Sequence, residues 1–228
     1  MGFPIGVRDS APVSVRRQLK SLVKNAVYRA VPRSRLVQRG PSSCRQVALT
    51  FDDGPDHLTS AYFDLLDELD VRATFFVVGM ACELEPQLTR EYVRRGHQIA
   101  GHGYDHTRFP KLPWSALDEQ LRKTAAILGP TPTTRPWVRP PYGDVDARVL
   151  AQLLASGSLI AMWSLDSHDY EIRDPETLAA RCSPRHVSAG EVILLHEGQQ
   201  WTLDALPRIV HGLRDAGYEM VTMAEMFR

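Results

Sequence analysis

The sequence predicts an α/β fold: a distorted (β/α) barrel of about seven strand–helix units, preceded by a basic amphipathic N-terminal helix. Three observations point there. From Gly40-Pro41 onward, short apolar runs alternate with amphipathic stretches of helical period. The chain has 228 residues and 43% apolar content, which suits one domain with a full core. Its chemistry-bearing side chains fall directly after the apolar runs, and in barrels of this kind functional groups sit at the carboxyl ends of the strands.

Val47–Phe51 reads as the first strand and Leu58–Leu69 as a helix. Ala73–Val78 is a β-rich apolar strand closed by Gly79. A helix opened by Pro86 and closed by Gly96 follows it. Gln98–Ala100 is a short strand, Trp114–Leu128 a helix and Trp137–Val138 a strand end. Asp146–Leu154 is helical, Leu159–Ser164 extended and Pro175–His186 helical. Val192–Leu195 is a fully apolar strand, Thr202–Ala216 a helix, and Tyr218–Val221 a last strand before a short terminal helix.

Net charge is zero, but residues 1–45 hold ten Lys/Arg against the single acid Asp9. Val15, Leu19, Leu22, Val23, Ala26, Val27 and Ala30 recur at helical spacing among those basic residues, up to Pro32. Residues 1–40 are therefore set apart as a basic amphipathic segment, with 41–228 as the domain that follows it. Two readings stand for residues 15–31: attachment to an anionic membrane surface, or packing of the apolar side on the domain. Nucleic acid is not an expected partner, because no basic stripe with interleaved aromatics recurs elsewhere. The expected state is a monomer.

Cys44, Cys82 and Cys182 have no paired spacing, so neither a disulfide framework nor a cysteine zinc site is indicated. No apolar run reaches transmembrane length, and Met1 to Ser14 lacks the apolar core of a secretory signal. The expectation is a cytoplasmic protein, or a peripheral one on the inner membrane face.

Five clusters carry chemistry. Asp52 and Asp53 end the first strand at Gly54-Pro55. Consecutive strand residues point to opposite faces, so both carboxylates can converge only where the pleat ends. One carboxylate there suits a metal and its neighbour a proton. His102 and His106, four apart, can reach one metal together with a carboxylate, leaving positions open for water and substrate; the same spacing also fits two surface histidines. Arg139, before Pro140-Pro141-Tyr142-Gly143, can hold Asp52 bidentately. Asp166 to Tyr170 offers a carboxylate for an imidazole and an aromatic for a sugar face. Leu194-Leu195-His196 sets a histidine after a buried strand.

In this order the five clusters resemble the polysaccharide deacetylase family (the Nod-factor deacetylase homology domain, carbohydrate esterase family four), from about Arg45 to Phe227. The resemblance implies Asp52 as general base, and Asp53, His102 and His106 as ligands of a divalent metal. Zinc is the expected ion, with cobalt, manganese or iron(II) as alternatives. It also implies that Arg139 orients Asp52, that the Tyr142 backbone N–H helps hold the oxyanion, and that His196 is the general acid, supported by Asp166. Leu194 would line the acetyl-methyl pocket, with Pro140 and Tyr170 among the substrate contacts. The implied activity is removal of N-acetyl groups from amino sugars of a glycan or glycan precursor. Alternatives are deformylation or deacetylation of a lipid-linked sugar, hydrolysis of small cyclic amides, and a catalytically weak glycan-binding domain.

Three residues depart from the family pattern. Gly103 stands where Ser or Thr usually braces the loop, Tyr170 where Trp walls the groove, and Glu197 where Asp follows the histidine.

Overall fold

The computed structural model describes residues 31–32, 34–130, 133 and 135–228. The basic helix expected over residues 15–31 lies outside them except for Val31.

The strands are β1 (Leu36–Val37), β2 (Gln46–Asp52), β3 (Thr74–Val77), β4 (Gln98–Gly101), β5 (Trp137–Val138), β6 (Leu159–Ala161), β7 (Leu165–Asp166), β8 (Glu191–His196) and β9 (Glu219–Met220). Interleaved with them are the helices α1 (Thr59–Glu68), α2 (Gly79–Leu84), α3 (Pro86–Arg94), α4 (Trp114–Leu128), α5 (Ala147–Ala155), α6 (Pro175–Arg181), α7 (Gln200–Asp215) and α8 (Met223–Met226). One parallel sheet runs β1-β6-β5-β4-β3-β2-β8-β7, with β9 beside the start of β2.

The sheet curls, and alternation along each strand shows how. Val37, Ala48, Phe76, Ala100, Trp137, Ala161 and Val192 come from seven strands yet meet in one interior cluster. Their neighbours Leu49, Phe51, Phe75, Ile99, Ile193 and Leu195 face outward under the helices. Burial on both faces explains why these strands read as unbroken apolar runs. Inward-facing positions one step further along the strands are Thr50, Asp52, Leu194 and His196, so the strand ends deliver polar groups to the barrel mouth.

Local chemistry sets the helix ends. The Asp146 and Asp174 side chains cap α5 and α6 by accepting from the Val149 and Thr177 N–H groups, and Thr222 with Glu225 forms a capping box on α8. Helix α6 stops at Arg181 instead of reaching His186, because Pro184 disfavours helical backbone at the residue before it. Leu159–Ser164 resolves into β6, with β7 beginning separately at Leu165. Helix α2 fills the stretch between Gly79 and Pro86, to which the sequence pattern assigns no element.

Strand β1 is a larger difference. It lies inside the residues expected to form a separate N-terminal segment, yet Leu36 and Val37 pair with Ile160 and Ala161 and are each 5% exposed. Gly40 then donates its N–H to Gly190 O at 2.8 Å, tying this end of the sheet to the start of β8. Among the described residues, no helix is long and apolar enough to cross a membrane.

Candidate active site

Asp52 ends β2 facing the barrel interior and is 3% exposed. Asp53 follows with φ +80°, a left-handed conformation that turns its side chain back beside its neighbour. That backbone is costly for a residue with a Cβ, and such outliers concentrate at functional sites. His106, with φ +60°, shares it.

Asp53 Oδ1 lies 3.0 Å from His106 Nε2 and 3.5 Å from His102 Nε2. The ligand atoms of all three residues fall within 4.8 Å of one another. The His102 Nδ1–H donates to the Arg139 carbonyl at 2.7 Å, which leaves Nε2 with its lone pair toward Asp53. Burial pushes the His102 pKa down, so the imidazole stays neutral, as a ligand must be. Burial alone would raise Asp53, but the His106 hydrogen bond and the nearby histidines bring it to about 2, so it stays ionised. One carboxylate and two imidazoles at this spacing fit a divalent ion with open coordination positions.

Arg139 is fully buried and serves the site twice. Its carbonyl fixes His102, while its Nη1 donates to Asp52 Oδ1 at 2.6 Å and Thr50 Oγ1 at 2.9 Å. Its other guanidinium nitrogens donate to the Ala161 and Met162 carbonyls. Arg139 thus joins several strands and holds the Asp52 carboxylate.

His196 stands in register with Asp52 on the adjacent strand, so the two point into the same mouth. Asp166, expected to support this histidine, does not reach it. Its carboxylate accepts the His168 N–H at 2.9 Å and the Tyr170 hydroxyl at 3.4 Å, shaping its own loop. Asp169 takes the role. Its Oδ1 lies 2.7 Å from His196 Nδ1, and its Oδ2 accepts the His196 N–H and the Thr202 hydroxyl. Burial opposes charge on His196, but the Asp169 hydrogen bond and the surrounding carboxylates raise its pKa to about 9. Sequence reasoning missed Asp169 because two carboxylates three residues apart share one loop. Only His196 and Thr202, both distant in sequence, distinguish them.

Tyr142 and Tyr170 expose their rings on either side of the mouth. Tyr142 packs 4.6 Å from His106 and Tyr170 5.6 Å from His196, centroid to centroid. Pro140 leads into the turn that carries Tyr142 at φ +60°, and Leu194 lies buried one step below His196. Gly103, at φ +78°, has no side chain to supply the hydroxyl brace expected at this position. Gln120 of α4 supplies one instead: its Oε1 accepts the Tyr104 N–H at 2.7 Å and its Nε2 donates to Asp105 at 2.6 Å. A separate cleft of about 800 Å³ lies between α4 and the strands β4 and β5, lined by Leu121, Ala125, Leu128 and Trp137, and holds none of these converging groups.

Comparisons with known proteins agree with this geometry. The polysaccharide deacetylase family model matches residues 39–158, more than half of the chain. The peptidoglycan-N-acetylglucosamine deacetylase PgdA of Listeria monocytogenes is 30% identical over 95% of this chain and 46% of its own length. A peptidoglycan-N-acetylglucosamine deacetylase of Bacillus cereus is 33% identical, over 83% of this chain and 70% of its own. Among solved structures, the Bc1960 peptidoglycan N-acetylglucosamine deacetylase superposes with a TM-score of 0.79 at 32% identity, covering 84% of this chain and 92% of that one. The chain spans about half the length of the Listeria relative. Its curled parallel sheet, its Asp53–His102–His106 cluster and the extent of these matches lead to one conclusion: the chain belongs to the polysaccharide deacetylase family.

Proposed function

We propose that the chain is a metal-dependent hydrolase removing N-acetyl groups from amino sugars of a glycan, with peptidoglycan as the substrate class its relatives' names favour. One observation carries the reading. A carboxylate–imidazole triad fit for a metal has a buried, arginine-held carboxylate on one side and a carboxylate-held imidazole across from it.

Asp53, His102 and His106 would hold the ion, zinc being the expected one, and its Lewis acidity would supply water activation and charge stabilisation at the amide carbonyl. Asp52, aimed by Arg139, accepts the proton of the attacking water. The Tyr142 backbone N–H meets the developing oxyanion. His196 carries a proton at neutral pH, and with Nδ1 engaged by Asp169 it donates from Nε2 to the departing amine nitrogen. Tyr142 and Tyr170 offer flat surfaces for sugar rings, and Leu194 an apolar floor for the acetyl methyl.

Acetate release from N-acetylglucosamine oligomers and from peptidoglycan, with and without chelator, tests the reading. Release that stops on chelation and returns with zinc supports it. Metal-bound protein that binds these glycans and frees no acetate would reduce it to a glycan-binding domain.

A further inference from the structure

Glu197 follows His196 and belongs to none of the groups assigned above. It is 4% exposed, and among the described residues no Lys or Arg pairs with it. Its partners are two hydroxyls from different helices. Tyr92 Oη of α3 lies 2.8 Å from Oε2 and 3.0 Å from Oε1, and Thr59 Oγ1 of α1 donates to Oε1 at 2.8 Å. The Glu197 N–H donates to the Asp52 carbonyl at 3.0 Å. The carboxyl also fills the space beneath Gly54. A Cβ at residue 54 would lie 1.7 Å from Oε2 and 2.6 Å from Tyr92 Oη. Gly54 is thus required for room, and the turn bearing Asp52 and Asp53 rests directly on the Glu197 carboxyl.

Burial pushes that carboxyl up to about 8, with the Tyr92 and Thr59 hydroxyls pulling the other way. A group costly to bury has been retained beneath the metal-bearing turn. An apolar side chain of this length could not bridge α1 and α3 by hydrogen bonds and also support Gly54.

We propose that Glu197 is a positioning residue for the metal site, setting the height of the Asp52–Gly54 main chain so that Asp53 meets His102 and His106. It acts through Gly54 and the Asp52 carbonyl and touches neither metal nor substrate. The proposal rests on the metal-site reading above.

The test measures the zinc dissociation constant by chelator competition, the melting temperature of metal-free protein, and kcat and KM separately. Glu197→Ala should weaken zinc about 10–100-fold, the range for groups that orient ligands. It should lower kcat at saturating zinc and leave KM within about twofold, because the glycan surfaces are untouched. Glu197→Gln, which keeps the shape and two hydrogen-bonding atoms, should retain zinc within about threefold. If Glu197→Ala does not fold, Tyr92→Phe removes one of the two hydroxyls while filling the same core space, and it should weaken zinc in the same direction. A folded variant with a lower melting temperature but parental zinc affinity and kcat would overturn the proposal, making Glu197 a core polar group only. Failure of the parent protein to bind zinc would instead overturn the metal-site reading.

Discussion

The carboxylate of Asp169 grips His196 at two points, with one oxygen 2.7 Å from the ring Nδ1 and the other 2.7 Å from the backbone N–H. Orientation, tautomer and charge of the imidazole are set together by one residue that is itself fully buried.

This relationship predicts a pH effect. As the proposed general acid, His196 works while protonated, so activity should fall as pH rises through about 9. Asp169→Asn removes the charge that raises His196 and replaces one of the two accepting oxygens with a donor, so the alkaline limb of the kcat–pH profile should move to lower pH. The stabilising effect of the pair has the same sign. It is fully present below the ordinary histidine value of 6.5 and is lost as pH rises through about 9. Asp166→Asn should leave the alkaline limb in place. A matching shift in both variants would remove Asp169 from its special position.

Asp52→Asn should bind zinc like the parent while kcat falls on the order of 10²–10⁴-fold, because the variant removes the proposed base and none of the proposed ligands. Zinc stoichiometry and kcat on the same preparation check it. Loss of zinc from Asp52→Asn with retention by Asp53→Asn would exchange the two assignments.

Arg139→Met should be costly to the fold as well as to turnover. Both members of the Arg139–Asp52 pair are buried, and breaking such a pair leaves an uncompensated charge at about 3–5 kcal/mol. For a domain of this size the melting temperature should drop on the order of 10 °C. Pairing this variant with Asp52→Asn should recover part of the loss, since the stranded charge is then gone. Thermal melts of the two single variants and the double decide it.

Two truncations separate the start of the sheet from what precedes it. Removing residues 1–30 should leave the melting temperature close to that of the parent under the membrane reading of the basic segment, and lower it under the packing reading. Removing residues 1–40 should lower it, because Leu36 and Val37 are each 5% exposed and burial of such side chains is worth about 1.5–3 kcal/mol apiece. Equal melting of the two forms would show β1 to be dispensable. The proposed membrane attachment of the basic segment reads on the same pair. Binding to anionic vesicles should be lost in both and, in the parent, fade as added salt shortens the Debye length to about 8 Å or less.

Much of the site was legible because its residues cluster at strand ends. The apolar runs of β2 and β8 announced themselves, and Asp52, Asp53 and His196 stand directly at their ends. Two strand residues, Trp137 and Val138, sufficed to place Arg139. What stayed hidden depends on distant partners. Asp169 is distinguished from Asp166 by Thr202, and Gln120 becomes a loop brace only when α4 packs beside Tyr104. Strand β1 is two residues long, too short for any periodicity. It is a strand only because β6 supplies a partner.

That pairing sets the order in which the domain can be assembled on a ribosome. Leu36 is made early, but its partner Ile160 emerges more than a hundred residues later, and the first long strand waits longer still for Leu195. Contacts of such sequence separation are slow to form, because loop closure must precede the pairing that rewards it. Until β6 and β8 leave the exit tunnel, β1 and one edge of β2 are unpaired, open to other chains or to a chaperone. The late strand β8 therefore brings His196 to Asp52, and a chain interrupted before it can carry Asp53, His102 and His106 but not His196.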